Sequence, residues 1–467
     1  MLVEWVKLFV NNQQSFLGDE QPSPPVRPAW RTEPEIDAER KQFLRQCLSI
    51  VPDFQRGIYP FKEMRLTRAD VEWLLATHEQ GRGPVDWSDL LQHERQGIDL
   101  RGADLRHVNL RGLPLACLRG GLTQEEWVAT TLEQRALAGV HLEHADLSEA
   151  HMEGALLRGA FLQNASLRLT HLEQATLFQA HLERAYLRKA HLEGANMMYV
   201  NLEGTYLRKA WLTGADLRHV LCDDATTLEK VTLYDKQWGC VRLADIHWND
   251  CNLALLDWRR MVPLGDETLA RALSIRDDSK KPIRDKQRHL DTYQAAARAN
   301  RQLANAMRAQ GMNEEAVPFA YRAQTLQRAI LWRYLIWGTD IFFEEQPLHT
   351  GIRRLGHIVL DRIRTGAAYL FSWFLDILAG YGYRPERSVG IYVLTVLIFT
   401  IVYLVVGKLP FGQALVFSIT AFHGRGFLPG PFTLASPVTA LAAFEAVIGL
   451  FIEISFIATF TQRFFGR

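Results

Sequence analysis

A large apolar residue recurs at every fifth position between residues 98 and 258, with polar residues between. Alanine usually stands two positions before each of these centres. Residues 121–139 interrupt the count, and within them Thr123 with Glu126 forms the pattern of a helical capping box. A one-residue slip follows Cys222, and the count then continues through Trp238 to Trp258. A short fixed period predicts a solenoid, here with one helix inserted.

A second pattern occupies the last eighty residues. Residues 388–407 carry no charge, and residues 437–460 form another apolar run that is broken only by Glu445 and Glu453. At ~1.5 Å per residue, each run covers the ~30 Å hydrocarbon core of a bilayer as a helix. Between them, residues 409–422 predict a short helix, and a glycine- and proline-rich loop follows. Irregular backbone at membrane depth requires shelter by protein or water, so this pattern predicts a re-entrant segment.

The remaining segments complete a multidomain α+β chain. Residues 1–35 form an N-terminal segment with a proline-rich linker, and residues 36–97 form a helical cap. Residues 259–350 predict an αα-hairpin, 351–387 an interfacial amphipathic segment, and 388–467 a two-helix pore domain. Residues 362–383 also allow a third span, but that span would move the preceding domains across the membrane. We therefore favour the interfacial helix.

The five-residue pattern resembles the A(D/N)Lxx repeat of pentapeptide-repeat proteins over roughly residues 98–258. This resemblance implies a right-handed four-sided β-helix in which leucine and alanine point inward and the other positions point outward. Residues twenty apart then lie above one another. His151, His171 and His191 would form a ladder beside Glu153, Glu173 and Glu193. We expect this ladder to be solvated and to hold no metal, with metal binding as the alternative.

Another outward face carries a candidate partner-binding set: Arg168, Tyr186, Arg188, Tyr206 and Arg208. The default interpretation of this face is a plain solvated surface, and binding of an anionic partner or a lipid headgroup is the alternative. The repeat region has only a mild acidic excess, which argues against mimicry of DNA.

The membrane hairpin resembles the two-helix pore module of tetrameric potassium-type channels. Residues 414–418 (ALVFS) are similar to the pore helix of that family, which assigns Ser418 and Thr420 to a pore helix. The resemblance places the filter at His423, Gly424, Arg425, Gly426 and Phe427. Arginine stands where the family has tyrosine and the loop is shorter, so potassium selectivity does not follow.

The charged residues of this hairpin have open alternatives. Arg425 either pairs with Glu445 behind the filter or forms a positive ring that favours anions. Glu453 either lines the cavity or makes an interhelical hydrogen bond between subunits. Gly449 either lets the second helix bend or allows close packing.

Composition and motif content limit the classes of function that we expect. The chain has 467 residues and a formal net charge of +1, which gives no indication of nucleic-acid binding. Five cysteines show no metal or redox spacing, and no catalytic or cofactor motif is present, so we expect neither an enzyme nor a cofactor. Basic residues flank the hairpin and place both ends in the cytosol, which predicts a multi-pass protein of the inner (plasma) membrane.

These observations favour a homotetrameric ion channel in the lipid bilayer, regulated through its cytosolic repeat domain by a protein or small ligand. Weakly selective cation flow is the first expectation and anion flow the second. The alternative is a membrane-anchored scaffold that assembles partners on the repeats without conducting ions.

Overall fold

The computed structural model describes residues 27–274, 283–342, 351–424 and 437–464. The chain divides into two compact units, Met1–His191 and Leu192–Arg467, which are described separately below. Of the sites expected from the sequence, Arg425, Gly426 and Phe427 lie outside the described residues.

In the described part of the first unit, two α-helices precede the repeats: α1 (Ala38–Leu48) and α2 (Arg68–Gly81). Helix α2 starts at a capping box: the Thr67 side chain accepts from the Asp70 amide, and Asp70 accepts from the Thr67 amide. Just before this helix, the Leu66 amide donates to the carbonyl of Asp104 in the repeats at 3.0 Å. The segment before the repeats therefore covers the first turn of the ladder with paired backbone.

The repeats of the first unit stack by parallel bridges between residues twenty apart, as in the series His141, Phe161 and His181. The central leucines and the alanines two positions before them are almost fully buried, for example Ala155 and Leu157 at 0% exposure. The turns of the repeats place residues in the left-handed region, and glycine or a polar residue fills most of these positions, with Cys117 and Leu169 as exceptions. The chain thus forms a repeat ladder around a continuous leucine and alanine core.

The insertion at residues 121–139 lies between two turns of this ladder. Bridges across it join residues 37 apart, such as Asp104 and His141, instead of residues twenty apart. The expected single helix is wrong, since the insertion forms two: α3 (Gln124–Val128) and α4 (Leu132–Ala138). The capping box at Thr123 is confirmed, and a second one at Thr131 starts α4, so the caps divide the segment.

The repeats continue in the second unit with two shifts in register. Bridges join Asn196 to Asp216, twenty residues apart, and then Tyr206 to Thr227, 21 residues apart, which confirms the one-residue slip after Cys222. Later bridges span 26 residues because a β-hairpin, β1 (Tyr234–Asp235) with β2 (Gly239–Cys240), adds five more. Trp238, expected as a repeat centre, instead lies half-buried in this hairpin turn. Its spacing of five residues from Leu233 is a coincidence of hairpin length.

The described residues that follow in this unit form the α-helices α5 (Gly265–Ser274), α6 (Ile283–Ala309), α7 (Asn313–Phe342) and α8 (Gly351–Ala379). Helices α6 and α7 form the expected αα-hairpin around Gly311, whose φ of 78° suits glycine. Tyr293, Ala296, Leu326 and Ile330 belong to the core that joins them. A short 3₁₀ turn at residues 380–382 ends α8.

The chain then forms α9 (Pro385–Val406), the short α10 (Phe411–Phe422) and α11 (Pro437–Phe464). Among the described residues, α9 and α11 are the two helices long and apolar enough to cross a membrane. Only 22% of the most apolar window of each is buried within the chain, which is unlike the core helix of a soluble domain. Helix α8 does not meet this test.

Candidate functional site

The half-helix α10 is fixed between both candidate spans by one carboxylate. Glu445 of α11 has no exposed surface. The hydroxyl of Tyr403 on α9 donates to its Oε2 at 2.7 Å, and the hydroxyl of Ser418 on α10 donates to its Oε1. Burying a carboxylate requires such donors, because an unpaired one is strongly unfavourable. Three helices therefore meet at Glu445, and both of its oxygens have partners.

The same three helices share an apolar core. Phe399 and Tyr403 of α9 pack with Ala414 and Phe417 of α10 and with Val438 at the start of α11. All five side chains are at most 8% exposed. The half-helix is thus part of the packed interior of this three-helix group.

Gly449 is where the end of α10 comes closest to α11. A Cβ placed on Gly449 would lie 2.0 Å from the carbonyl oxygen of Phe422. Of the two alternatives for this glycine, the geometry favours close packing. Side-chain substitution here would force the last turn of the half-helix away from α11.

A contact between a histidine and a carboxylate follows. Nδ1 of His423, directly after α10, contacts Oε1 of Glu453 on α11. Their side chains are 43% and 38% exposed, in contrast to the fully buried Glu445. The pair lies beside Tyr392 of α9, whose ring centroid is 5.9 Å from that of His423. The structure therefore brings together His423, expected in the filter, and Glu453, expected on the inner helix, on a surface that water or another protein chain can reach.

Gly424 and Thr420 are also described among the expected pore residues. Gly424 has a φ of 66°, which suits glycine, and the hydroxyl of Thr420 donates to the carbonyl of Phe417 in its own helix. The expected partner of Glu445, Arg425, lies outside the described residues. Sequence reasoning missed Tyr403, because tyrosine in an apolar helix gives no signal of which carboxylate it contacts.

A second charged cluster joins the soluble helices to the first candidate span. Asp376 of α8 accepts hydrogen bonds from Tyr321 at 2.9 Å and Arg328 at 2.6 Å on α7, and from Arg387 at 2.9 Å on α9. Burial by itself raises the pKa of Asp376, but the hydrogen bonds from Arg328 and Tyr321 and both guanidinium charges outweigh it and hold the pKa below its usual value. In the sequence, the signal for this cluster was Asp376 itself, an acidic residue within an apolar, aromatic segment.

The last repeats contact the αα-hairpin within the same unit. Asp245 pairs with Arg298 of α6 at 3.0 Å and accepts from Gln302 at 3.1 Å. Directly after α6, Gln310 donates to the carbonyl of Cys251 and accepts from the amide of Leu253. Direct contacts thus lead from the repeats to α6, α7, Asp376 and α9.

The candidate partner-binding side chains are exposed. Those in the first unit are Arg168, Tyr186 and Arg188, and those in the second are Tyr206 and Arg208. Arg208 pairs with Glu229 at 3.1 Å. Their role in partner binding stays a prediction.

Comparison with known proteins identifies the repeats. Residues 137–174 and 175–214 match the family model for pentapeptide repeats, with eight copies. A crystal structure of a pentapeptide repeat protein from Nostoc PCC 7120 is 29% identical, with a TM-score of 0.19; the match covers 20% of this chain and 77% of that chain. HetL, a pentapeptide repeat protein from the cyanobacterium Nostoc sp. strain PCC 7120 involved in heterocyst differentiation regulation, is 24% identical, with a TM-score of 0.18; that match covers 39% and 79%.

A third solved structure is a pentapeptide repeat protein from the cyanobacterium Cyanothece 51142. It is 26% identical, with a TM-score of 0.15, and the match covers 31% of this chain and 91% of that chain. No curated protein gives a significant match. The chain therefore carries a pentapeptide-repeat domain, followed by two helices that are long and apolar enough to cross a membrane.

Proposed function

We propose that this protein is an ion channel in which α9, the re-entrant half-helix α10 and α11 form one subunit of a homotetrameric pore. The observation that carries the proposal is the attachment of α10 to both long helices through Glu445. A loop at a membrane surface has no need of a buried carboxylate to hold it between two spans. A half-helix at membrane depth does require such an attachment, because protein must satisfy its polar groups there.

Packing within one chain also supports an assembly. Helices α9 and α11 leave most of their apolar surface uncovered, including Leu394, Ile401, Phe444 and Ile454. Lipid and neighbouring copies would cover this surface. The resemblance to tetrameric channels sets the number of copies at four in this proposal.

The conduction path would pass His423 and Glu453, which are partly exposed in one chain. Four copies of Glu453 would form an acidic ring, and such rings favour cations. We therefore place weakly selective cation flow first. A ring of Arg425 facing the axis would instead favour anions, which is the second alternative.

Regulation would act through the contacts that join the repeats to α9. Movement of the last repeats would reach α6 through Asp245 and Arg298, and α9 through the Asp376 cluster. In this proposal the repeats form a right-handed four-sided β-helix that binds a cytosolic protein or small ligand. The exposed Tyr186 and Arg188 belong to its candidate binding face.

We place the protein in the inner (plasma) membrane with the N-terminal domains and the C-terminus in the cytosol. Arg384 precedes α9, Arg387 lies in its first turn, and Arg463 lies in α11 after the apolar span Pro437–Ala458, in agreement with the positive-inside rule. Helix α8 would lie at the membrane surface, since it exposes Leu370, Phe371 and other apolar side chains without being a candidate span.

Ion flux into liposomes containing the purified full chain tests this function. We expect potassium and sodium to enter faster than chloride, and native mass spectrometry to find four copies. Glu453→Gln should lower cation flux relative to chloride, whereas Glu386→Gln, exposed at the start of α9, should not. A monomeric particle without flux of any of the three ions would contradict the channel and favour the scaffold.

A further inference from the structure

A ladder of imidazoles and carboxylates follows one side of the repeats in the first unit. Parallel bridges join His151 to His171 and His171 to His191, and the ring centroids in each pair are 4.7 Å apart. Nδ1 of His171 lies 3.0 Å from Oε1 of Glu173, and Nδ1 of His191 lies 3.8 Å from the same oxygen. One carboxylate oxygen is therefore in reach of two imidazole nitrogens.

The carboxylates of this ladder are more buried than a solvated surface would require. Glu153 is only 6% exposed, and its Oε1 lies 3.0 Å from Nδ1 of His151. Within the described part of the chain, Oε2 of Glu153 and Oε2 of Glu173 are buried without a hydrogen-bond donor. Buried acceptors without donors are unfavourable, and carboxylates stacked at the strand spacing of roughly 4.8 Å also repel each other. A bound cation would relieve both effects.

The nitrogen–oxygen spacing in this set is close to that of a transition-metal site, and the stacked imidazoles of His171 and His191, whose ring centroids are 4.7 Å apart, would turn towards one ion on binding. Zn²⁺ binds imidazole nitrogen and carboxylate oxygen at ~2.0–2.2 Å, so two ligands in tetrahedral geometry lie roughly 3.3 Å apart. The two nitrogen–oxygen distances to Glu173, 3.0 Å and 3.8 Å, lie on either side of that value. We propose that His171, Glu173 and His191 bind a divalent transition-metal ion of the Zn²⁺ class.

An overlapping set, His151, Glu153 and His171, has the same arrangement. In each set the ligating atoms lie within 4.8 Å of one another. Because His171 belongs to both sets, an ion that uses its Nδ1 in one set excludes an ion at the same nitrogen in the other. The site therefore takes one ion per chain, and three protein ligands leave a fourth position for water or a partner group.

Metal binding changes the proton on the imidazole. Without metal, Nδ1 of His171 donates to Glu173. With metal, Nδ1 gives its lone pair to the ion and the neutral ring carries its proton on Nε2, exchanged through solvent. Binding therefore weakens in acid, where both nitrogens are protonated.

The repeats contain a matched control ladder. His141 and His181 contact Glu143 and Glu183 at 3.1 Å and 3.2 Å. However, Phe161 stacks between these two imidazoles, with its ring centroid 4.7 Å from His141 and 5.2 Å from His181. This ladder has the same histidine–glutamate pairs, but Phe161 separates His141 from His181, so these two imidazoles cannot share one ion.

Isothermal titration of the untagged full chain in detergent with ZnCl₂ tests the proposal. We expect one Zn²⁺ per chain, loss of binding in His171→Asn, and unchanged binding in His141→Asn. His191→Asn should retain an ion in the overlapping set, and Glu173→Gln, which preserves side-chain size, should move the ion to that set with weaker affinity. Circular dichroism and the visible spectrum of bound Co²⁺ separate misfolding from ligand loss.

Three results would overturn this site. The first is a wild-type chain that does not bind Zn²⁺, and the second is a folded His171→Asn variant that binds it as tightly as wild type. Equal weakening by His141→Asn would show that the ion lies elsewhere.

Discussion

Asp266 offers a quantitative test of the joint between the repeats and the helical hairpin. It lies in the first turn of α5, is 4% exposed and accepts a hydrogen bond from the Leu243 amide at 2.7 Å. Burial raises the pKa of Asp266 from 3.8 to about 6, against the Leu243 hydrogen bond and the charges of Arg218 and Arg242. We predict that Asp266→Asn stabilises this joint at neutral pH.

The sign of the pH dependence follows from the linkage between protonation of Asp266 and folding. The folded pKa lies above the unfolded one, so the stability that neutral Asp266 contributes is fully present below pH 3.8 and is lost as the pH rises through about 6. The difference between 3.8 and about 6 corresponds to about 3 kcal/mol at pH values above both. Asparagine stays neutral and retains an acceptor oxygen. Its advantage over wild type should therefore grow from near zero in acid to about 3 kcal/mol.

This local stability can be measured by hydrogen exchange with mass spectrometry, on peptides that contain Leu243. Comparing variant and wild type at the same pH removes the intrinsic pH dependence of exchange. About 3 kcal/mol corresponds to roughly a hundredfold slower exchange in the variant at neutral pH. Asp257→Asn, an exposed aspartate in the same region, is the control and should change nothing. Equal protection of Asp266→Asn and wild type at every pH would refute the reasoning.

Two further substitutions test the membrane helices through the melting temperature in detergent. Gly449→Ala should lower stability by about 1–3 kcal/mol, because its Cβ would collide with the Phe422 carbonyl. Gly390→Ala in α9, where nothing lies within 4 Å, should not destabilise, and similar melting of both variants would argue against close packing at Gly449. Asp376→Asn should destabilise more than Asp361→Asn, which is exposed on the same helix, because only Asp376 pairs two arginines. Equal effects would count against a structural role of that cluster.

The repeats and the helices of the second unit were predictable because their patterns are periodic. A leucine at every fifth position indicates which side chains are buried, and the two apolar runs indicate the approximate lengths of α9 and α11. Caps such as Thr67 and Thr123 fixed helix starts by local hydrogen bonds. Each of these signals depends on residues close together in the chain.

The contacts that position the candidate site were not predictable in this way. Tyr403 meets Glu445 across 42 residues, and Arg328 meets Asp376 across 48 residues. Such partners depend on how helices pack, and no periodicity encodes that. Trp238 shows the opposite error, since a hairpin of suitable length imitated a repeat.

The depth of α10 in the membrane tests the central claim most directly. A nitroxide label at Val416, which is 61% exposed in the single chain, can be compared in liposomes with a label at Leu397 in α9 and one at Val128 in the repeat domain. The account predicts that a water-soluble nickel chelate reaches the Val416 label as poorly as the Leu397 label. If the Val416 label is as accessible as the Val128 label, α10 lies in solvent and the re-entrant pore is contradicted.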